Sequence, residues 1–196
     1  ALEESGFYVN PTLRKFYSSG AGKNYGRTVT QYPADLDIGE VPVREYFADG
    51  AISASYEEYS DAAIVVIGRS GLDGYDVPQE MRDYRALDDN ELALLSYVND
   101  NFDNVVLVIN SAEPMMIGEA EADSVLWVGN PGTTGARAIG YVLNGYVSPS
   151  GRLTDTWAYD QSSAPSSVNT GTFRFDWSVS GAPNADDSDH YVVLAE

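Results

Sequence analysis

The sequence predicts an α/β fold built on a mostly parallel sheet, and three observations predict it. Ala62-Ala63-Ile64-Val65-Val66-Ile67 is an apolar run rich in β-branched residues. It does not alternate and stops at Gly68, the pattern of a strand buried on both faces of a parallel sheet. Val105 to Asn110 and Ser124 to Val128 repeat that pattern. Helical periodicity fills the gap between the first two runs and follows the third. Strand, helix, strand, strand, helix at these lengths calls for right-handed crossovers and helices on both faces of the sheet.

Each element has its own warrant. Leu2 to Gly20 reads as a helix, a break and a second helix. Asn10-Pro11 starts the second, with Asn as N-cap and Pro at the first helical position. Leu13, Phe16 and Tyr17 then share one face, and Gly20 and Gly22 end it. Residues 23–50 read as irregular, with a short helix starting within Val41 to Phe47. Tyr56 to Asp61 lead into the first strand, taken as the central one. Asp88-Asp89-Asn90-Glu91 caps a helix running to Phe102, with Leu92, Leu95, Val98 and Phe102 at helical spacing. Asp103-Asn104 turns the chain into the second strand. Ala136 to Asn144 forms the last helix, with Ile139, Val142 and Leu143 inward and Gly145 as its C-cap. From Gly151 onward the chain is rich in Ser, Asn, Asp and Gly. Trp157, Phe173, Phe175 and Trp177 are spaced along it, and it reads as an extended wrap closed by a strand at Tyr191 to Leu194.

Composition narrows the function. With 196 residues, 43% hydrophobic and 21% charged, the chain is globular and of single-domain size. Ala1 stands inside what reads as a helix, so the chain reads as a piece of something longer. No apolar run reaches the length of a membrane span. A net charge of -19, from 11 Lys+Arg against 30 Asp+Glu, repels nucleic acid and anionic membranes and suits a neutral substrate such as a sugar. The same acidity serves solubility. With no cysteine, disulfides and thiolate metal sites are excluded. The lone histidine, His190, sits near the end, and no G-x-S-x-G elbow accompanies it. Neither a His-based metal site nor any cofactor is expected. Many Tyr, Asn, Asp and Ser beside only Lys15 and Lys23 lean towards an extracellular or cell-surface setting over a cytoplasmic one.

Three stretches carry candidate chemistry. Gly129, Gly132 and Gly135 open a helix after a strand, a context for anion binding. Their spacing matches neither G-x-G-x-x-G nor G-x-x-x-x-G-K-[ST], and Pro131 removes one donor. That leaves a tight strand-to-helix turn, with a flavodoxin-like nucleotide binder as the competing reading. Arg152 and Asp155 form a charged pair beside a turn, read as a surface or interdomain salt bridge. The loop after Ile67 holds Arg69, Asp73 and Asp76 at the carboxyl end of a strand, where ligands sit in open α/β sheets. On composition alone Asp73 and Asp76 are solvated loop acids. Arg69, at the end of a buried strand, is suited to orienting a carboxylate bidentately.

Several ordered segments resemble the C-terminal α/β sandwich domain of family 3 glycoside hydrolases, which include β-glucosidases and related exo-acting enzymes. They are DAAIVVIGRSGLDGYDVP, the helix from Asp88, VVLVINSAEPM, VLWVGNPGTTGARAIGYVLNG and SPSGRLTDTW, with LEESGFYVNPTLRKFY as a lead-in. The resemblance implies a three-layer α/β/α sandwich around a mostly parallel, flavodoxin-like sheet. It divides the chain into a lead-in with the first helices (1–60), a sheet and helix core (61–155) and an extended wrap (156–196).

It also implies a retaining mechanism shared with a (β/α)8 barrel that carries the aspartate nucleophile. A chain of 196 residues cannot hold that barrel as well, so the isolated chain is expected to be inactive. The family's acid/base loop has a pattern like R-x-x-G-E-G-x-D, whose matching positions here are Arg69, Asp73, Gly74 and Asp76. Asp73 therefore stands where many members have glutamate. The resemblance makes it the catalytic acid/base, with Arg69 and Asp76 organising the loop and binding substrate. Its partners are a β-linked oligosaccharide or glycoside and the barrel of the same protein. The Glu-to-Asp departure keeps open a non-catalytic domain that completes a sugar subsite or braces the barrel. Some of Tyr75, Tyr84, Trp157 and Tyr159 are expected to be exposed where the barrel would dock.

Overall fold

The computed structural model of the chain describes residues 2–25, 39–48, 50–69 and 86–159. The chain divides into two compact units, Ala1–Thr156 and Trp157–Glu196. The first is an α/β sandwich whose described residues form a parallel sheet of three strands, β1 (Ala63–Gly68), β2 (Val105–Asn110) and β3 (Ser124–Trp127), in the order β1-β2-β3. Its helices are α1 (Pro11–Ser19), α2 (Arg44–Phe47), α3 (Gly50–Ser55), α4 (Asp89–Asn99) and α5 (Gly132–Leu143).

Register decides which side chains meet. Val65 lies beside Leu107 and Leu107 beside Val125, while Ile67, Ile109 and Trp127 form the next row on the same face. Leu107, Val108 and Ile109 are all buried, so β2 is covered on both faces, as its unbroken apolar run implied. For β1 that expectation fails. Val65 and Ile67 are buried, but Val66 between them is 57% exposed. Among the described strands β1 is an edge and β2 is the centre. An apolar run carries no information about which strands flank it, so the misplacement followed from composition alone.

The helices form where their ends are chemically closed. Asn10 Oδ1 accepts from Thr12 N at 2.9 Å and Leu13 N at 3.3 Å, so the cap and the proline behind it start α1 as expected. The segment before it makes only a 3-10 turn, Glu3–Ser5. Gly22 is needed for packing: a Cβ there would lie 2.9 Å from Phe16 Cε1. Asp88 caps α4 by accepting from Glu91 N at 2.7 Å, and the Glu91 carboxylate accepts from Asp88 N at 2.9 Å, a complete capping box. Leu94, Leu95, Tyr97 and Val98 form its buried face, and α4 packs on β1. Burying a leucine or valine of this kind contributes roughly 1.5–3 kcal/mol. Leu92 and Phe102 are only half-buried, and the helix ends at Asn99, short of Phe102. α5 begins at Gly132, a turn earlier than Ala136, and Gly132 itself has φ 64°, a left-handed conformation that a side chain would strain. α3 follows the stretch read as irregular, in residues to which the sequence reading assigns no element.

An aromatic line ties the first helices to α4. Phe16 packs on Tyr46 with ring centroids 4.7 Å apart, Tyr46 on Tyr97 at 5.9 Å, and Phe47 meets Tyr97 edge-on at 4.8 Å. Tyr56 follows, its ring 4.9 Å from Phe102 and its hydroxyl accepting from the Tyr97 hydroxyl at 3.1 Å. At the other end of the line, Tyr17 and Tyr46 hydrogen-bond each other, and both hydroxyl oxygens lie 3.2 Å from the acceptor Glu40 Oε1. Val41 N donates to the same oxygen at 2.8 Å.

Burial pushes the Glu40 carboxyl above the ordinary carboxylate range, and the nearby Glu91 charge adds a smaller push the same way. A carboxyl whose folded pKa is raised favours folding below its unfolded pKa, and that stability is lost as pH rises through the folded value. Glu40→Gln keeps an acceptor for both phenols without the charge. It is expected to raise the thermal midpoint by a few degrees at about pH 8 and to leave it unchanged at about pH 3, where Glu40 is neutral in both states. A midpoint shift independent of pH, read by circular dichroism, would contradict this.

Candidate active-site loop

The carboxyl ends of the three parallel strands lie at one end of the sheet. There Arg69 N donates to Asn110 O at 3.0 Å and Val128 N to Ile109 O at 2.9 Å, extending the ladder past β1 and β3. Trp127 Nε1 donates to Ser111 O at 2.6 Å, and the buried Ser111 closes the start of the β2–β3 connection on Glu113. Ala86 makes a parallel bridge to Met116 in that same connection. Gly68 and Ala86, the described residues on either side of this segment, thus both stand at this end of the sheet.

Arg69 is the pivot of this end. Its side chain is 7% exposed and that of Glu91, on the first turn of α4, is 4% exposed. Nη1 donates to Glu91 Oε1 and Nη2 to Glu91 Oε2, each at 2.6 Å. Nη1 also donates to Gly68 O at 2.9 Å, and Nη2 to Ala86 O at 2.7 Å. The planar fork of a guanidinium matches a carboxylate edge to edge, and here its outer hydrogens reach backbone carbonyls on the two chain ends. The bidentate grip on a carboxylate expected of Arg69 is present, and the carboxylate is Glu91.

Asp73 and Asp76 lie outside the described residues, as do Tyr75 and Tyr84 and the Tyr191–Leu194 segment. Trp157 is half-buried and Tyr159 is 84% exposed. Among the described residues no ion pair joins Arg152 to Asp155. The Asp155 carboxylate accepts from Thr156 N at 2.8 Å, a local turn contact. The glycine stretch forms the expected strand-to-helix turn, with Gly129 and Gly132 both at positive φ. Among the described residues no group of three His, Cys, Asp or Glu is placed to hold a metal ion, and no helix is long and apolar enough to cross a membrane.

Glu91 is the residue whose second role the sequence reading passed over, seeing it only as part of the helix cap. A signal was present. Glu91, Leu94, Leu95 and Val98 fall at i, i+3, i+4 and i+7, which puts the carboxylate on the apolar face of α4. A charge on a core-facing stripe needs a buried partner.

Residues 20–186 match the profile of the glycosyl hydrolase family 3 C-terminal domain. The chain belongs to that family. The domain is 33% identical over 180 residues to a β-glucosidase of Ruminococcus albus, an alignment covering 86% of the chain and 18% of the relative. It is 47% identical over 62 residues to a β-xylosidase/α-L-arabinofuranosidase of Medicago sativa, 30% of the chain and 8% of the relative. Its fold superposes on the crystal structure of a β-glucosidase from Paenibacillus barengoltzii with a TM-score of 0.70 at 27% identity, over 84% of the chain and 18% of that protein. The family 3 domain thus spans about a fifth of the length of these β-glucosidases. Its α/β sandwich and parallel sheet are those the sequence predicted.

Proposed function

We propose that this domain supplies the acid/base loop of a retaining, exo-acting, β-glucosidase-like glycoside hydrolase, whose nucleophile sits on a (β/α)8 barrel of the same protein. The substrate is a neutral β-linked oligosaccharide or glycoside, which suits a chain of net charge -19. Asp73 is the general acid and then the general base. Asp76 and Arg69 organise the loop and the sugar subsite it borders. The observation that supports this most directly is the hold on the two described residues that bracket Asp73 in sequence. Arg69 holds Gly68 O and Ala86 O from one buried, carboxylate-locked guanidinium. A catalytic side chain on a loop needs such a footing, because positions must be held to within about 0.5 Å.

In a retaining enzyme the two carboxyls stand about 5–5.5 Å apart across the scissile bond. Asp73 has an arm shorter than glutamate by about 1.5 Å, so the loop must approach the barrel more closely to serve that distance. A second reading, a domain that completes a sugar subsite or braces the barrel without proton transfer, draws on that aspartate.

The isolated chain is expected to show no turnover of an aryl β-glycoside, while the full-length protein turns it over. Hydrolysis by the isolated chain, in a preparation free of barrel-containing protein, would overturn the shared-site reading.

A further inference from the structure

We infer that Glu91 is a positioning residue for the reaction: through the Arg69 guanidinium it holds together the two ends of the segment that carries Asp73. The inference rests on the reading of Asp73 as the acid/base.

The geometry runs outward from a rigid base. Leu94, Leu95 and Val98 are buried, and the helix that carries them packs on β1. Glu91 lies one turn before them, and its Oε2 accepts from Asp88 N, so its carboxylate cannot rotate without breaking the cap. That fixed carboxylate grips both terminal nitrogens of Arg69. The gripped guanidinium aims its outer hydrogens at Gly68 O, where the chain leaves β1, and Ala86 O, where it returns. These four hydrogen bonds thus fix one plane that joins Gly68 to Ala86. Fixing two points of a chain lowers the conformational freedom of the residues between them, and a catalytic group displaced by 1 Å can lose about 10²-fold in rate.

The plainer account is that Glu91 only caps the helix and stabilises the core. The two accounts separate on chemistry. Capping needs one acceptor oxygen facing Asp88 N, which a glutamine supplies. Gripping both Arg69 nitrogens needs a carboxylate, because an amide turns a donor towards one of them. Glu91→Gln therefore keeps the cap and opens the clasp.

The test is made in the full-length enzyme. Active sites are counted by the burst of dinitrophenolate from an activated aryl glycoside, and steady-state kinetics are compared with an alkyl glycoside or disaccharide. Glu91→Gln is expected to lower kcat/KM per active site on the poor leaving group by about 10- to 10²-fold. On the activated substrate kcat/KM should change far less. An equal loss of kcat/KM on both substrates, or native kcat/KM on both, would overturn the inference. If Glu91→Gln does not fold, the double variant Arg69→Met/Glu91→Leu removes both charges while keeping apolar volume. The same leaving-group-selective loss in kcat/KM supports the clasp, and native kcat/KM on the alkyl glycoside overturns it. Asp73→Asn is measured in parallel. If it shows no leaving-group selectivity, the Asp73 reading falls and takes the Glu91 role with it. If it does and Glu91→Gln does not, only the Glu91 role falls.

Discussion

Asp73→Asn in the full-length enzyme is expected to lower kcat/KM by about 10²-fold or more on substrates with poor leaving groups, and much less on activated aryl glycosides. A general acid must be protonated as the glycosidic oxygen departs, and an amide has no proton to give at that step. Dinitrophenolate needs little protonation, so formation of the glycosyl-enzyme is largely spared with such substrates. Its breakdown is not, because water must still be deprotonated by a base the variant lacks. Azide needs no base, so added azide is expected to restore turnover of the activated substrate and to yield a glycosyl azide of retained configuration. The non-catalytic reading expects a raised KM, an unchanged leaving-group dependence and no azide product. Asp73→Glu is the companion variant. A faster enzyme would mean that the native arm is short for its distance. An unchanged rate beside an unselective Asp73→Asn would move the acid to another residue.

The second large effect concerns stability. Arg69→Met is expected to destabilise the protein by about 3–5 kcal/mol, because it strands the buried Glu91 carboxylate without its counter-charge. Arg69→Met/Glu91→Leu is expected to recover most of that loss, since two apolar side chains of similar volume need no pairing. A buried ion pair is weak evidence of net stabilisation, and removing both charges is often neutral or favourable. The check is a double-mutant cycle from urea midpoints, with slopes compared to confirm that the compactness of the states has not changed. Additive losses from Arg69→Met and Glu91→Leu would mean that the two side chains are not coupled. If the double variant is stable but catalytically selective in the manner described for Glu91, the pair is kept for geometry at no benefit to folding.

The parts of the fold that were legible in the sequence are those set by short-range chemistry. Asn10 before Pro11 places an N-cap and an N1 residue with no reference to the rest of the molecule, and both are found there. The Asp88 cap and the apolar runs of β2 and β3 are of the same kind. What was misread depends on neighbours distant in sequence. Val66 is exposed although Val65 and Ile67 on either side of it are buried, because what covers a face of the sheet is set by distant segments, which no local window records. α3, GAISAS, was not read as an element at all: it has one strongly apolar residue, Ile52, and is held by packing and by the Asn10–Ser55 hydrogen bond across 45 positions. In the candidate site, Arg69 stood out because a charge at the end of an apolar strand is unusual. Glu91 did not, because its capping role already accounted for it.

The order of the strands has a consequence for how the domain is made. Because β1, β2 and β3 are adjacent in the sheet in the order in which they leave the ribosome, each new strand finds its partner's edge already synthesised. The Ala63–Asn110 portion, a strand, a helix and the parallel strand beside it, is a complete crossover unit. Its Arg69–Glu91 clasp lies wholly within it. This portion can therefore assemble as the first cooperative unit during translation, before β3 and α5 have emerged, with the Arg69–Glu91 pair in place from the outset.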